Sequence, residues 1–325
     1  MSIVKISVIG AGSWGTTLAN LLSEKNDVIL WAREDSVIKD INENKENSIF
    51  LLGIKLRDNL FATSNLKEAI LDRKIIVMAV PAQFLREKSR EIKEFISSET
   101  TIINVAKGIE LKTFKRMSEI LSEELTAKIA VLSGPNHAEE VARKIPTATV
   151  IASKDADLKE LKRIFETDYF KVYPHDDVIG LEVCGAIKNI TAIATGVIAG
   201  LGLGDNANGA IITYGLREMV NLGKHLGAKQ KTFYGLAGVG DLVATCTSKH
   251  SRNRKAGLLI AKGYDFDKIK EEMHGMIAEG IMTCKAVHDY AIENGLNLPL
   301  TSQVYKVLFE KKELLDAIKD LKKLI

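Results

Sequence analysis

A glycine-rich turn close to the first residues restricts the possible folds more than any other feature of the sequence. Gly10, Gly12 and Gly15 directly follow the β-branched run Val4–Ile9 and lead into the helix-like segment Thr16–Lys25. A strand, a turn with this glycine spacing and a helix open a βαβ unit, in which backbone N–H groups at the helix N-terminus bind a pyrophosphate. The alternative is a tight turn without a ligand. The pattern therefore predicts a dinucleotide-binding α/β domain.

Short β-branched runs alternate with amphipathic segments in the first half of the chain. The runs predicted as strands are Val4–Ile9, Val28–Trp31, Leu60–Thr63, Ile75–Val80, Thr101–Asn104, Ile129–Leu132 and Ala148–Ala152. The segments predicted as helices are Thr16–Lys25, Leu66–Leu71 with Ser64 as its N-cap, Phe84–Ile96 and Phe114–Leu125. This alternation predicts a doubly wound parallel sheet with helices on both faces.

The sequence beyond Tyr173 has a different character. It consists of long segments rich in Ala, Leu, Ile, Lys and Glu without strand-like runs, which predicts an all-helical domain. A length of 325 residues suits two domains, since one domain usually holds about 150 residues. Pro174 and a polar triplet mark the boundary, which gives domains of residues 1–177 and 178–325. The expected fold class is a Rossmann-type α/β domain followed by an all-α domain.

The charge balance and the cysteine count restrict the class of protein. The 45 basic and 42 acidic side chains leave a net charge of +3, too small for binding nucleic acid by bulk electrostatics. Three cysteines without paired spacing, and an N-terminal run too short for a signal peptide, favour a cytoplasmic protein. The apolar stretch 183–204 contains Lys188 and Asn189, so we expect a buried helix and not a membrane span. The six histidines lack metal-ligand spacing, and we expect no metal.

The residue that follows the second strand bears on cofactor choice. A site selective for NAD carries Asp or Glu at this position, where the carboxylate binds the ribose 2′-hydroxyl. This sequence has Arg33, whose guanidinium would bind a 2′-phosphate, although Glu34 follows it. The pattern favours NADPH, with NADH possible; the alternative is that Arg33 is a surface arginine. Ser13 and Trp14 lie inside the glycine turn and should contact the same cofactor.

Lys188 is the only charged residue in the stretch 183–204. Burying an ammonium group costs free energy, so such a lysine is either paired or functional. Burial also lowers its pKa toward neutrality, which suits a residue that gives a proton to a developing alkoxide or takes one from a hydroxyl. The alternative is a lysine that reaches solvent or pairs structurally with an acidic neighbour, for which the candidates are Asp176, Asp177 and Glu182.

Four further segments supply candidate polar groups. They are Lys107 after the fifth strand, the junction Ser133–Ala138 after the sixth, Asp241 behind a glycine-rich run, and the basic turn Ser251–Arg254. The first two lie where open α/β sheets bind their ligands, and the basic turn precedes a helix-like segment that could hold a phosphate. The corresponding structural interpretations are a solvated loop lysine, a simple turn, close packing of glycines and a basic surface turn.

These motifs together resemble the NAD(P)-dependent glycerol-3-phosphate dehydrogenase family, of the prokaryotic type, over essentially the whole chain. The motifs that carry the resemblance occur in the order typical of that family. They are Ser13-Trp14-Gly15-Thr16 in the glycine turn, Val80-Pro81-Ala82, Ala106-Lys107-Gly108, Ser133-Gly134-Pro135, Gly185-Ala186-Ile187-Lys188-Asn189, Gly240-Asp241-Leu242 and Ser251-Arg252-Asn253.

The resemblance implies a role for each matching position, with Lys188 as the proton donor or acceptor. The implied contacts to a triose phosphate are Lys107, Gly134, Asn136, Lys188, Asp241, Ser251, Arg252 and Asn253, of which Asn136 replaces the Ser or Thr expected in the family. The implied contacts to the nucleotide are Gly10, Gly12, Ser13, Trp14, Gly15, Arg33, Lys107, Ala138, Arg252, Ile277 and Glu279.

The reaction that the resemblance implies is reduction of dihydroxyacetone phosphate to sn-glycerol 3-phosphate for glycerophospholipid synthesis. One alternative is a dehydrogenase of similar architecture that acts on a 3-hydroxy acid or a sugar-acid phosphate. Another is a dinucleotide-binding redox sensor without catalytic activity. A homodimer is the expected assembly, as the commonest default.

Overall fold

The computed structural model describes residues 3–273 and 278–323, which form two compact units. The first unit contains residues up to 106 and 117–178, and the second contains residues 107–116 and those from 179 onward. The sequence analysis divided the chain once, between 177 and 178. It placed the segment 107–116 in the first domain, whereas in the structure this segment packs within the second unit, against residues far away in the sequence.

The first unit is an alternation of strands and helices. Its strands are β1 (Lys5–Ile9), β2 (Asp27–Trp31), β3 (Phe61–Thr63), β4 (Ile75–Met78), β5 (Thr101–Asn104), β6 (Lys128–Ser133), β7 (Thr147–Ser153) and β8 (Phe170–His175). Its helices are α1 (Ser13–Leu22), α2 (Asp35–Lys39), α3 (Leu66–Ile70), α4 (Leu85–Ile92), α5 (Met117–Glu124), α6 (Ala138–Ala142) and α7 (Leu158–Phe165).

The strands form one sheet in the order β3-β2-β1-β4-β5-β6-β7-β8. The predicted doubly wound fold is confirmed, but the sheet is not wholly parallel, because β7 runs antiparallel to β6. The strand β8 was not predicted. It is an edge strand with alternate side chains exposed in its first half, and it contains Pro174, which an edge position tolerates. The predicted cap of α3 was also wrong: the side chain of Asn65, not Ser64, accepts the hydrogen bond from the Glu68 N–H.

Helices bury both faces of the sheet, as alternating side chains of the strands show. Ile6 and Val8 of β1 belong to a buried cluster that includes Leu18 of α1, whereas Ile9 packs in a second cluster with Leu85 of α4. Because successive side chains of a strand point to opposite faces, near-continuous apolar strands are expected in such a sheet. Both faces of the sheet are therefore buried. A ligand can reach the sheet only at the ends of its strands and the loops there.

The second unit is helical apart from the segment 107–116. Its helices are α8 (Val178–Gly200), α9 (Gly204–His225), α10 (Gln230–Phe233), α11 (Asp241–Thr247), α12 (Arg252–Ala261), α13 (Phe266–Glu272), α14 (Glu279–Glu293), α15 (Pro299–Phe309) and α16 (Leu314–Lys323). The helix α8 is long and apolar enough to cross a membrane, but 83% of its most apolar window is buried inside the protein. It is the core helix of this unit, as the sequence analysis expected.

A buried carboxylate links two helices of the second unit. Glu218 of α9 is 4% exposed and accepts hydrogen bonds from the Leu300 N–H, the Thr301 N–H at 3.0 Å and the Thr301 hydroxyl at 2.6 Å. It therefore caps the N-terminus of α15, where the first N–H groups have no partner inside the helix. Burial raises the pKa of Glu218 to about 7, although the hydrogen bonds from Thr301 and Leu300 oppose this change.

The raised pKa of Glu218 makes stability depend on pH. In the unfolded chain the group has its ordinary pKa of 4.5, so between pH 4.5 and about 7 the folded protein binds the extra proton. Stability from this group is fully present below pH 4.5 and is lost as the pH rises through 7, by roughly 3 kcal/mol in total. We expect urea unfolding to give a free energy that falls across this range in the wild type and changes less in Glu218→Gln. Equal slopes in the two proteins would contradict this assignment.

Candidate active site

The glycine turn after β1 is shaped by two close backbone contacts. Gly10 has φ +112°, and a Cβ atom there would lie 2.7 Å from the carbonyl oxygen of Ala79. A Cβ atom on Gly15 would lie 1.9 Å from the carbonyl oxygen of Gly10. Both distances are far below van der Waals contact, so packing within the protein requires glycine at these two positions.

Gly12 differs from the other two glycines of the turn. Its backbone is extended, with φ −66° and ψ 176°, and a Cβ atom would meet nothing within 4 Å. Neither the backbone conformation nor packing within the protein therefore requires glycine here. A ligand that approaches the backbone closely would require it. Gly12 is the N-cap of α1 and provides no capping side chain, so the first N–H groups of the helix are available to an anion. The turn fits a dinucleotide pyrophosphate.

Three other predicted nucleotide contacts lie close to this turn. Ser13 and Trp14 form the first residues of α1, and the Trp14 ring packs near Phe170 with 6.3 Å between ring centroids. Within the described residues the indole Nε1 is buried without a hydrogen-bond partner. Ala138 begins α6, and its carbonyl oxygen accepts a hydrogen bond of 3.2 Å from the Thr17 hydroxyl of α1. Ala138 is thus held against the helix that the glycine turn opens.

Arg33 lies in the loop between β2 and α2 with its side chain 78% exposed. Its Nε and Nη2 atoms donate to the carboxylate of the neighbouring Glu34 at 3.0 and 2.7 Å. An exposed pair of this kind contributes little to stability, at most about 1 kcal/mol. The guanidinium is therefore close to the end of β2 and can exchange Glu34 for a stronger anionic partner.

The junction after β6 is held to β7 by side-chain hydrogen bonds. Gly134 has φ +155°, and a Cβ atom on it would lie 3.1 Å from Thr149. The amide of Asn136 donates to the Thr149 hydroxyl at 3.1 Å, and that hydroxyl donates to the Ser133 carbonyl at 3.2 Å. These contacts fix the loop that carries Gly134 and Asn136.

Lys188 lies inside the second unit and is 6% exposed. Its Nζ atom is 2.5 Å from one oxygen of Asp241 and 2.8 Å from the Thr245 hydroxyl. Lys107 approaches the other oxygen of Asp241, with 2.9 Å between the atoms. One carboxylate thus holds two ammonium groups. We call Lys107, Asp241 and Lys188 the lysine–aspartate cluster.

The charges of the lysine–aspartate cluster do not balance, since two cations share one anion. Burial lowers the pKa of Lys188 to about 7, and the neighbouring Lys107 lowers it further while Asp241 opposes the change. Burial acts to raise the pKa of Asp241, but the two lysines outweigh it and the net shift is downward. Asp241 therefore stays ionised, and Lys188 can gain or lose a proton near neutral pH.

The acidic partner of Lys188 is Asp241, and not one of the nearby acidic residues that the sequence analysis suggested. Glu182, one of its suggested partners, instead binds Arg116 at 2.7 Å, with side chains 2% and 12% exposed. The segment 107–116 also binds α8 through its backbone, because the Asn189 amide donates to the Lys107 carbonyl at 3.2 Å. Lys107 is therefore a member of the helical unit and not a residue of the first domain.

The basic turn before α12 lies close to the backbone of α8. A Cβ atom on Gly257 would lie 2.0 Å from the Ile193 carbonyl, so α12 packs backbone to backbone on α8. Asn253 is buried, and its Oδ1 atom accepts from the Gly280 N–H at 2.9 Å. A Cβ atom on Gly280 would lie 2.7 Å from the Asn189 carbonyl. The amide of Asn253 is thus held close to the residue that follows Lys188.

The other residues of the basic turn differ in exposure. Ser251 is buried and caps α12 by accepting from the Arg254 N–H at 3.2 Å, whereas the Arg252 side chain is exposed. Glu279 begins α14 directly before Gly280. Ile277, another predicted nucleotide contact, lies outside the described residues.

Two residues of this site were missed by the sequence analysis. Thr245 binds both members of the Lys188–Asp241 pair, donating to Asp241 at 3.2 Å while it accepts from Lys188. Asn189 holds the Lys107 carbonyl. Thr245 follows Asp241 by four residues, which is the spacing of neighbours on one helix face, so helical spacing was the available signal.

Other reactive groups give no competing site within the described part of the chain. Cys184, Cys246 and Cys284 are buried and form no disulfide bonds, and burial raises the pKa of Cys246 to about 12, so its thiolate is not available near neutral pH. No group of three or more His, Cys, Asp or Glu residues that could hold a metal ion occurs among the residues searched. The chemistry that this geometry supports is proton transfer by Lys188.

Alanine at Gly12 and at Gly15 should separate ligand binding from stability. Gly12→Ala places a methyl group in open space and should unfold with the midpoint of the wild type, but it should bind a dinucleotide about 10-fold more weakly or worse. Gly15→Ala forces a backbone shift and should lose about 1–3 kcal/mol of stability or more. Thermal unfolding and fluorescence titration with NADPH measure the two effects. Normal binding by Gly12→Ala would contradict the assignment of the turn.

Comparison with known proteins agrees with this geometry. Residues 5–159 match the model of the NAD-dependent glycerol-3-phosphate dehydrogenase N-terminus, and residues 177–319 match that of its C-terminus. A glycerol-3-phosphate dehydrogenase [NAD(P)+] of Clostridium botulinum is 46% identical over 319 residues, which are 98% of this chain and 96% of the relative. One of Macrococcus caseolyticus is 44% identical, with 98% of both chains covered.

A solved structure gives the same result. The crystal structure of glycerol-3-phosphate dehydrogenase from Coxiella burnetii superposes with a TM-score of 0.94 at 38% identity, covering 98% of each chain. Matches to both family models and identities above 40% over nearly the full length leave no other assignment. The chain belongs to the NAD-dependent glycerol-3-phosphate dehydrogenase family.

Proposed function

We propose that the protein reduces dihydroxyacetone phosphate to sn-glycerol 3-phosphate with NADPH, and that Lys188 is its proton-transfer residue. The observation that carries this proposal is the lysine–aspartate cluster, in which a buried lysine with a pKa near neutrality shares one carboxylate with a second lysine. Membership of the family supports the reaction and makes the protein an NAD(P)-dependent oxidoreductase.

Lys188 performs the proton transfer in this proposal. When bound, the reduced nicotinamide supplies a hydride to C2 of the substrate. Negative charge then develops on the C2 oxygen, and the Lys188 ammonium donates a proton to that oxygen from Nζ. In the reverse direction the neutral amine accepts the proton of the C2 hydroxyl. Thr245 and Asp241 hold Nζ in one position during both steps.

Asp241 and Lys107 support the same proton transfer. Both oxygens of Asp241 bind lysines, so we propose that Asp241 orients those lysines. The resemblance also implies that it contacts the substrate. Lys107 keeps a positive charge near the developing alkoxide and makes deprotonation of Lys188 easier. Water has limited access, since the Lys188 and Asp241 side chains are at most 7% exposed.

The phosphate group of the substrate is assigned to the turn before α12. Asn253 uses its Oδ1 atom for Gly280, so its amide nitrogen is the atom available to a phosphate oxygen. Arg252 is exposed and supplies the charge, and the Ser251 hydroxyl can still donate while it caps α12. Gly134 and Asn136 remain proposed substrate contacts in the first unit.

The first unit is the proposed nucleotide domain and the second the proposed substrate domain. The N–H groups at Gly12 hold the pyrophosphate and Arg33 holds the 2′-phosphate of NADPH. The remaining nucleotide contacts of this proposal are Gly10, Ser13, Trp14, Gly15, Lys107, Ala138, Arg252, Ile277 and Glu279. We further propose a cytoplasmic homodimer whose product supplies glycerophospholipid synthesis.

Lys188→Met tests the proton-transfer role, because methionine fills the same buried space without a titratable group. The variant should fold, bind NADPH and lose at least about 10²-fold in kcat. In the wild type, reduction requires protonated Lys188, so its rate should fall as the pH rises through about 7, while the reverse oxidation should rise. Lys262→Met, at an exposed position, is the matched control. Full activity of Lys188→Met would refute the proton-transfer role of Lys188.

Arg33→Ala tests the preference for NADPH. Loss of one charge-assisted contact to the 2′-phosphate should raise KM for NADPH by about 10-fold or more and leave KM for NADH nearly unchanged. Steady-state kinetics with both cofactors measure the ratio. An equal effect on NADPH and NADH would show that Arg33 does not contact the 2′-phosphate.

The substrate itself is tested with purified protein. Dihydroxyacetone phosphate is compared with two substrates of related dehydrogenases, 3-hydroxyisobutyrate and 6-phosphogluconate, in the presence of the appropriate oxidised or reduced cofactor. The proposal requires turnover of the triose phosphate at the highest kcat/KM of the three. Turnover of either acid instead would assign the protein to the corresponding alternative reaction.

A further inference from the structure

The residues 107–116, here called the Lys107 segment, form a closed loop between β5 and α5. Its two ends are joined by an antiparallel bridge between Ile109 and Arg116. Its turn is closed by hydrogen bonds from the Glu110 N–H to the Lys115 carbonyl and from the Phe114 N–H to the Glu110 carbonyl, both 3.0 Å. The chain leaves the first unit to form this loop and returns to it afterwards. The loop carries one member of the lysine–aspartate cluster.

Phe114 adopts a backbone conformation that is costly for its residue type. Its φ is 56°, in the left-handed region, which bulky side chains rarely enter unless surrounding contacts enforce it. A stacked pair accompanies this conformation: the ring centroids of Phe114 and Tyr290 are 3.6 Å apart and the rings are 8° from parallel. Tyr290 is itself fixed on α14, because its hydroxyl lies 3.1 Å from Nε2 of His225 on α9.

Arg116 holds the other end of the segment. Its guanidinium binds Glu182 of α8 at 2.7 Å, and both side chains are largely buried, so the pair is shielded from solvent and salt. Phe114 and Arg116 lie on the same closed loop as Lys107, so holding them in place also restricts the backbone that carries Lys107.

We propose that Phe114 and Arg116 are positioning residues: they fasten the Lys107 segment to the helical unit, so that the Lys107 ammonium remains on Asp241 beside Lys188. This proposal rests on the proposed function of Lys188, and it assigns a purpose to a strained phenylalanine and a buried ion pair that the reaction itself does not use. Among the contacts described, the loop is anchored on the helical unit at Tyr290, Glu182, Asp241 and Asn189.

If Phe114 and Arg116 position Lys107, then releasing the loop changes the pKa of Lys188, which a purely structural role would leave unchanged. The charged and titratable groups that act on Lys188 are Asp241 of α11 and Lys107 of the loop, with Cys246 of α11 close by and Arg254 of α12 acting on that thiol. Of these, only Lys107 changes position when the loop is released. Asp241 then forms an ion pair with Lys188 alone. The pKa of Lys188 rises, because the like charge of Lys107 has moved away.

Phe114→Asn is the principal test, because asparagine tolerates the left-handed conformation and removes only the stacked ring. Its kcat/KM for reduction should fall about 10–100-fold, and the pH above which the rate declines should rise by about one unit. Lys107→Met should shift the profile in the same direction. The double variant should show no additional shift, because Phe114 then has no lysine left to position.

Two matched variants complete the kinetic test. Phe114→Tyr keeps the stacked ring and should behave like the wild type. Phe309→Leu removes a ring from another aromatic pair of the same unit, with Tyr305 at 5.1 Å, and should leave the pH profile in place. An unchanged profile in Phe114→Asn, or losses that multiply in the double variant, would overturn the proposal.

A measurement without substrate separates this proposal from the proposed function. Trace acetylation followed by peptide mass spectrometry compares Lys107 with the exposed Lys262. In Phe114→Asn, Lys107 leaves its carboxylate and should react several-fold faster relative to Lys262, whether or not the protein turns over dihydroxyacetone phosphate. Unchanged reactivity of Lys107 would overturn the positioning role. Failure of the wild type to turn over substrate, with faster labelling in the variant, would overturn the reaction alone.

Discussion

A single buried carboxylate organises the chemistry of the helical unit. Asp241 is 1% exposed and binds two ammonium groups that come from residues 107 and 188, which are far apart in the sequence. An isolated buried charge of either sign would be strongly disfavoured, so each group depends on the others for its burial. Burial lowers the pKa of Lys188 to about 7, with Lys107 acting in the same direction and Asp241 opposing the change. The burial that these ion pairs permit thus also makes Lys188 able to exchange a proton near neutral pH.

Close backbone approach brings the surrounding elements into position. Gly257 of α12 and Gly280 at the start of α14 each lie where a Cβ atom would collide with a carbonyl of α8. These contacts hold the basic turn before α12 close to the backbone of α8 at Ile193 and Asn189. In the first unit, Gly10 and Gly15 play the same part in the turn after β1, whereas Gly12 leaves space for a ligand. Packing therefore requires glycine at four of these five positions, and at Gly12 no protein atom within 4 Å requires it.

The sequence predicted the α/β half well wherever an element repeats a clear pattern. All seven predicted strands are present, since buried parallel strands are short, apolar runs between turns. The edge strand β8 was missed because its exposed side chains and Pro174 weaken that pattern. The reversed direction of β7 could not be predicted, because strand direction depends on the path of the connection and not on residue type. The predicted cap of α3, Ser64, is one residue away from the observed cap, Asn65, which is the usual size of error at helix ends.

By itself, the sequence determined which groups are available: a glycine turn after a strand, a lysine in an apolar helix, an arginine after the second strand and a basic turn. Local physics was sufficient for these, because each depends on neighbours within a few residues. The tertiary structure decided the partners. Asp241 and not Glu182 binds Lys188, Glu182 binds Arg116, and the Lys107 segment belongs to the helical unit. Such pairings join residues more than 50 positions apart, and only the packed fold determines which charges become neighbours.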